Sequence, residues 1–397
     1  MRKLPCIWYL SLVVMALWCF ASQVAAQESK SGSQQLSLDA LDSLGSKSTT
    51  SGNSKASEDF SLSQLDETGA DSGSNALDEF TPQAWKDNLR FTVDLSYRPI
   101  FSGRTGTFGG LGYAGIDLHK VFTDKQGDWG TLLIQTYFGR LDFRSNAPIS
   151  LNVFDDGNDF AIEHRITNFN YTRYGKGKTN FRIGHFEVPF GLEQIVNTNG
   201  TLRDFTHNQN FGLKSDWGVT FNGEASGIEY EVGLSRGSGN VWRRRHDPYI
   251  VAGRIGTSST EPAVVGISAF LGDVLEFGPG GEIVQRGRVG ADFTFADEKL
   301  VWLAELSAGF EDEDRAYTAL LEDDWNDTKE SLLAYNQVVL RGFGRDAGWD
   351  NELRNSLGLR WTPDTHWTIS GQVSHFFDGL SPEGRGTVLE FQMRYRF

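Results

Sequence analysis

The sequence predicts an all-β fold, a transmembrane antiparallel β-barrel behind a disordered N-terminal extension, and three observations carry the prediction. Segment after segment alternates apolar and polar residues with a period of two, which gives a strand one oily and one wet face. The polar positions hold charges in mid-strand, among them Asp94, Arg98, Glu229, Glu231, Asp292 and Arg360, which suit a watery lumen better than a dry sandwich core. The chain also ends on such a strand, "LEFQMRYRF", with Leu389, Phe391, Met393, Tyr395 and Phe397 set against Glu390, Gln392, Arg394 and Arg396.

Composition agrees. Aromatic residues make up 13% of the 397, glycine supplies 45, and the mean hydropathy is mildly negative. Past the N-terminus no apolar run approaches the roughly 20 residues that a helical span requires, which excludes a helical membrane protein. A barrel hides its membrane character because only alternate residues are apolar.

The N-terminal "MRKLPCIWYLSLVVMALWCFASQVAAQ" carries Arg2 and Lys3, an apolar run and then small residues, and reads as a signal peptide over 1–26. Cys6 and Cys19 both fall within it, so the exported chain is expected to fold without disulfides. Residues 27–80 are rich in Ser, Gly and Asp, with ten acidic residues against three lysines. Such a stretch buries too little apolar surface to offset its chain entropy and reads as a disordered periplasmic extension. The barrel is expected over 81–397.

Within the barrel, "RFTVDLSYR" puts Phe91, Val93, Leu95 and Tyr97 on one face. "WGVTFNG", "GIEYEVGLSR", "RVGADFTF" and "NSLGLRW" alternate in the same way. Strands are expected near 90–98, 108–119, 129–140, 159–173, 178–188, 215–223, 226–236, 248–256, 263–272, 284–295, 299–310, 331–341, 352–361, 366–377 and 385–397. Because single-chain bacterial barrels use an even number, one further strand and a total of sixteen are expected. A barrel of that size is too wide for side chains to fill and encloses an aqueous channel.

The short connections 223–226, 296–299 and 362–366 read as periplasmic turns. The longer stretches 141–158, 189–214, 237–247 and 311–330 read as external or inward-folded loops. Trp129, Trp217, Trp302, Trp361, Trp367, Tyr97 and Tyr395 are expected in interfacial girdles. The acidic segment "EDEDRAYTALLEDDWND", 311–327, reads as a solvated external loop.

One segment points further. In "NFRIGHFEVPFGLEQ", Arg182, Gly184, Phe186, Pro189, Phe190, Gly191, Leu192 and Glu193 form a pattern that resembles the signature of the phosphate-selective porin O and P family. The closing "MRYRF" is similar to that family's last strand. Its Tyr395 and Phe397 resemble the terminal aromatic signal read by the barrel-assembly machinery. The resemblance spans about 85–397 and implies a sixteen-stranded outer-membrane porin, a homotrimer with inward-folded loops, whose lumen arginines and lysines pass small anions such as phosphate. Fixed guanidinium and ammonium groups would replace part of a permeating anion's hydration.

The charge pattern supplies candidates and a reservation. The signal carries +2 and the extension −7, which leaves −10 of the chain's −15 for 81–397, so the barrel is not globally basic. Arg243, Arg244 and Arg245, followed by His246, form the densest basic spot. Arg98, Arg182, Arg236, Arg288, Arg360 and Arg394 are expected on lumen-facing positions, and Arg203 and Lys214 in loop 189–214, the preferred constriction loop. Each could instead pair with a neighbouring carboxylate.

The acidic balance keeps open a nonselective or mildly cation-preferring porin. A barrel-anchored envelope tether acting through 27–80 is a further alternative. Outer-membrane lipid and lipopolysaccharide are the expected surroundings, and no nucleic-acid partner or cofactor is expected.

Motifs of enzymes fail on context. Gly110, Gly112 and Gly115 match Gly-x-Gly-x-x-Gly but continue as strand, whereas dinucleotide binding requires a following helix. "GLSRG" places Ser235 in a nucleophile-elbow pattern, again without a helix after it. The seven histidines are dispersed and give no metal-ligand spacing, so an enzyme is not expected.

Overall fold

A computed structural model describes residues 87–143, 160–174, 178–240, 247–275, 282–327, 331–345, 348–377 and 384–397. The predicted signal and extension lie outside them. Sixteen antiparallel strands close into a barrel. The first eight are β1 (Leu89–Ser102), β2 (Thr107–Asp124), β3 (Gly127–Phe143), β4 (Phe160–Tyr171), β5 (Asn180–Glu187), β6 (Ser215–Ala225), β7 (Ile228–Ser235) and β8 (Tyr249–Thr257). The second eight are β9 (Ala263–Leu275), β10 (Ile283–Asp297), β11 (Leu300–Glu311), β12 (Asp314–Asn326), β13 (Leu332–Arg345), β14 (Gly348–Trp361), β15 (Trp367–Phe376) and β16 (Gly386–Arg396). Each pairs with its sequence neighbour, and β1 closes on β16. Closure leaves no sheet edge, so the strands satisfy their backbone groups within the wall, as a hydrocarbon setting demands.

The strand missing from the sequence reading is β12, in the segment taken for an acidic loop. Glu322 and Asp324 point inward and are buried, while Tyr317, Leu321 and Trp325 face out. Three consecutive acidic residues, Glu322 to Asp324, break the alternation and mask the strand.

The barrel is inside-out relative to a soluble protein. Outward positions hold Phe91, Ile162, Ile183, Val232, Ile267, Val289, Leu357 and Phe391, each between 43% and 64% exposed. Inward positions hold Asp94, Arg182, Glu231, Asp292, Gln337 and Gln392, each under 9% exposed. At the rim carrying both chain ends, Trp367 lies 4.8 Å from Tyr395, and Trp129 lies 5.1 Å from Phe122 and 6.4 Å from Tyr171. Trp302 and Trp361 belong to the same rim and Trp217 to the opposite one.

Tyr97 departs from the girdle expectation. It sits at mid-height opposite Gly112, and a Cβ on Gly112 would lie 3.5 Å from its ring. On the lumen side Tyr137 covers Gly115 in the same way. The Gly-x-Gly-x-x-Gly match is therefore a bed for two tyrosine rings laid across a strand.

Candidate pore constriction

Between β5 and β6 the chain does not turn back at the rim but folds into the lumen, and the motif residues explain why. Gly184 has φ of 131°, and a Cβ there would meet the Asn168 Cα at 2.7 Å. Pro189 ends the pairing, since it offers no N–H to a ladder. Gly191, with φ of 58°, turns the chain over the Glu305 carboxylate into a single 3-10 turn, Leu192–Gln194. The loop returns through a short helix, α1 (His207–Phe211), closed by Gly212 with φ of 78°.

Apolar packing holds one flank of this loop to the wall. Val188, Phe190, Phe211 and Leu213 cluster with Ile250, Ala252, Phe270 and Val274 of β8 and β9. Leu192 and Phe205 cluster with Val301, Leu303, Leu320 and Val339 of β11 to β13. Phe190 meets Phe211 edge-on at 5.4 Å and Phe270 at 5.5 Å. A fully buried Phe or Leu is worth about 1.5–3 kcal/mol, so these contacts fix the loop firmly.

Polar bonds set its register. Glu305 of β11 accepts from the Leu192 N–H at 2.8 Å, from Asn210 at 3.3 Å and from the Thr206 hydroxyl. Arg286 of β10 donates to the Phe211 carbonyl over 2.6 Å. Glu193 accepts from the His207 N–H over 2.8 Å, has His207 Nδ1 at 3.0 Å and has Lys214 Nζ at 3.0 Å from its other oxygen. Burial opposes ionisation of Glu193, but Lys214 and His207 outweigh it and hold the carboxyl well below its ordinary range. Burial likewise opposes charging of His207; Glu193 reverses this, and the net shift is upward. Geometry agrees, because His207 Nε2 lies 2.8 Å from the Val188 carbonyl, which can only accept.

The loop's tip crosses to the far wall. Arg394 of β16 donates to the Asn199 carbonyl over 2.8 Å, and Arg98 of β1 donates to the Thr201 carbonyl over 3.0 Å. Arg165 of β4 reaches Thr198 at 3.4 Å, and Arg354 of β14 pairs with Asp204. Anchored at β8 to β13 and tied to β1 and β16, the loop bridges the lumen.

Of the predicted lumen cations, Arg98 and Arg394 meet at the tip, Arg203 pairs with Glu322 and Asp324 at 3.0 Å each, and Lys214 holds Glu193. Arg182 pairs with Glu231 at 3.0 Å, and Arg288, at 2% exposure, lies 3.4 Å from Glu311. Arg360 faces inward on β14, and Arg236 lies just past β7, at the rim. Arg243, Arg244 and Arg245 lie outside the described residues.

Sequence reasoning missed four lumen arginines. Arg254 pairs with Asp292 at 2.6 Å and Arg286 with Glu311 at 2.9 Å; both occupy polar positions of alternating strands, as does Arg354. Arg165 was hidden for a different reason, since the β3–β4 register shifts between Gln135 and Thr136 and inverts the alternation there. Among the described residues no group of His, Cys, Asp and Glu is arranged to hold a metal ion.

No sequence-family model matches the chain, and no curated protein matches it by sequence. Solved structures do. OmpT of Vibrio cholerae in its trimer form is similar at a TM-score of 0.55 and 10% identity, over 78% of this chain and 99% of that one. An anion-selective porin from Comamonas acidovorans gives 0.55 and 11% identity, over 78% and 99%. Pseudomonas putida OprB gives 0.54 and 11%, over 79% and 96%. At such identities the likeness is one of fold, and the chain has the fold of outer-membrane porins.

Proposed function

We propose that this protein is an outer-membrane channel through which small hydrophilic solutes diffuse passively, with weak charge selectivity. The observation that carries this reading is a closed wall, apolar outside and charged inside, whose lumen is narrowed by a firmly anchored loop. Interleaved arginines and carboxylates, such as Arg182 with Glu231 and Arg254 with Asp292, set up strong local fields with little net sign. Solutes are then sorted by size and dipole more than by charge. The signal at 1–26, the periplasmic extension at 27–80, the outer-membrane location and a homotrimeric assembly belong to this reading; the trimer form of the similar OmpT supports the last.

A second reading, anion preference extending to phosphate, follows from the family resemblance and from Arg243, Arg244 and Arg245. The similar anion-selective porin favours it. Reversal potential in a potassium chloride gradient across a planar bilayer separates the two, followed by phosphate titration at fixed chloride. Weak selectivity without phosphate block is expected. Chloride selectivity with block by phosphate would install the second reading, and no conductance would remove both.

A further inference from the structure

The outward face of β12 to β14 carries a polar ladder where the rest of the wall is apolar. Asn355 of β14 donates from Nδ2 to Asn336 Oδ1 over 2.8 Å, and Asn336 of β13 donates from Nδ2 to Asp323 Oδ1 over 2.9 Å. Register places all three outside. Asp323 pairs with Asn336, and Asn336 pairs with Leu357, which is 56% exposed. On its own strand Asp323 stands between Leu321 and Trp325, both exposed apolar residues, so the ladder lies within the apolar belt.

A carboxylate at that position is costly against hydrocarbon, which offers no donor in place of lost water. Among the described residues Asp323 is bonded through one oxygen only. The surrounding outward positions are also small: Ala304 on β11, Ala319 on β12, and Ala334, Gly342 and Gly344 on β13. Elsewhere the same levels hold bulky residues, such as Val265, Ile267 and Leu271 on β9 and Leu389, Phe391 and Met393 on β16. Small residues let backbones approach closely, and interfacial polar groups then bond across the contact.

We propose that the outer face of β11 to β14 is the wall against which a second copy of this chain packs. The inference rests on the membrane-channel reading above and deepens it by placing the contact between copies. Copies in one membrane share orientation and depth, so a ladder at this height meets the same ladder at the same height. The ladder holds what its twin lacks: one further Asn336 Nδ2 hydrogen to give, and Asp323 Oδ2 and Asn355 Oδ1 to receive. A lipid tail at this depth supplies neither.

Cysteine cross-linking in intact membranes tests the proposal, and the chain has no cysteine after Cys19 to interfere. Ala334→Cys, one rung from Asp323, should give oxidative adducts of twice the chain mass. Their yield should exceed that of Ile267→Cys on β9 by roughly tenfold or more, because held neighbours react at a raised effective concentration. Adding Asp323→Leu should reduce the adduct several-fold while the barrel stays folded, as read by heat modifiability. Equal yields at 334 and 267, no adduct at 334, an adduct of another protein's mass, or a yield indifferent to Asp323→Leu would each overturn it. Conductance of the unoxidised Ala334→Cys protein tests the channel reading separately, so the two can fail independently.

Discussion

Glu193 shows how a single residue of the motif acts. It joins the loop's outgoing arm to its return, with His207 and Lys214 on opposite oxygens. The two titrating partners bound a pH window. His207 is shifted upward from 6.5, so its contribution is complete below that value and is lost as pH rises through the raised one. Glu193 is shifted downward from 4.5, so its contribution is complete above that value and is lost only as pH falls through the lowered one. The loop should therefore be held most firmly between these values. Single-channel current noise is expected to be lowest there and to rise toward alkaline pH in the native protein, and to lose that alkaline rise in His207→Gln. A native profile flat from acid to alkaline pH would refute the latch.

At the scale of elements, the inward loop owes its position to bonds that cross the barrel. Replacing 198–201 by a short glycine link removes the carbonyls held by Arg98 and Arg394 but leaves the apolar flank in place. Single-channel conductance should then rise roughly twofold, because the obstruction and not the wall limits flow. Unchanged conductance would mean that the tip does not constrict. Fifteen strands were legible in the sequence because a lipid-facing wall enforces strict alternation. The exception is instructive: β12 was read as a loop because Asp323, outward between inward Glu322 and Asp324, violates the rule that identifies strands. The loop between β5 and β6 was legible from the motif, but its partners were not. Glu305 lies 113 residues from the Leu192 amide it accepts, and nothing local in sequence marks it.

For the whole molecule, the decisive contact is the seam where the chain's two ends meet. Val93 and Phe397 exchange backbone bonds of 2.8 and 3.1 Å, so the terminal residue is part of the wall. Inside the seam Arg394 donates from Nε to Asp94 at 2.9 Å, across 300 residues, and Asp94 is 1% exposed. Arg396 approaches both Asp94, at 4.0 Å, and Asp117, at 3.8 Å. Loop closure over the full chain carries an entropy cost that grows slowly with length, so a buried pair at the join is well placed to offset it. Asp94→Asn keeps the size and one acceptor but leaves Arg394 without its counter-charge. Removing one partner of a buried pair typically costs about 3–5 kcal/mol, and the denaturant midpoint of the folded barrel should fall accordingly. The same exchange at an open pair, Asp350→Asn beside Arg345, should cost about 1 kcal/mol or less. Equal midpoints for the two variants would show that the barrel is held by its continuous hydrogen-bonded wall, with the seam contributing no more than any other join.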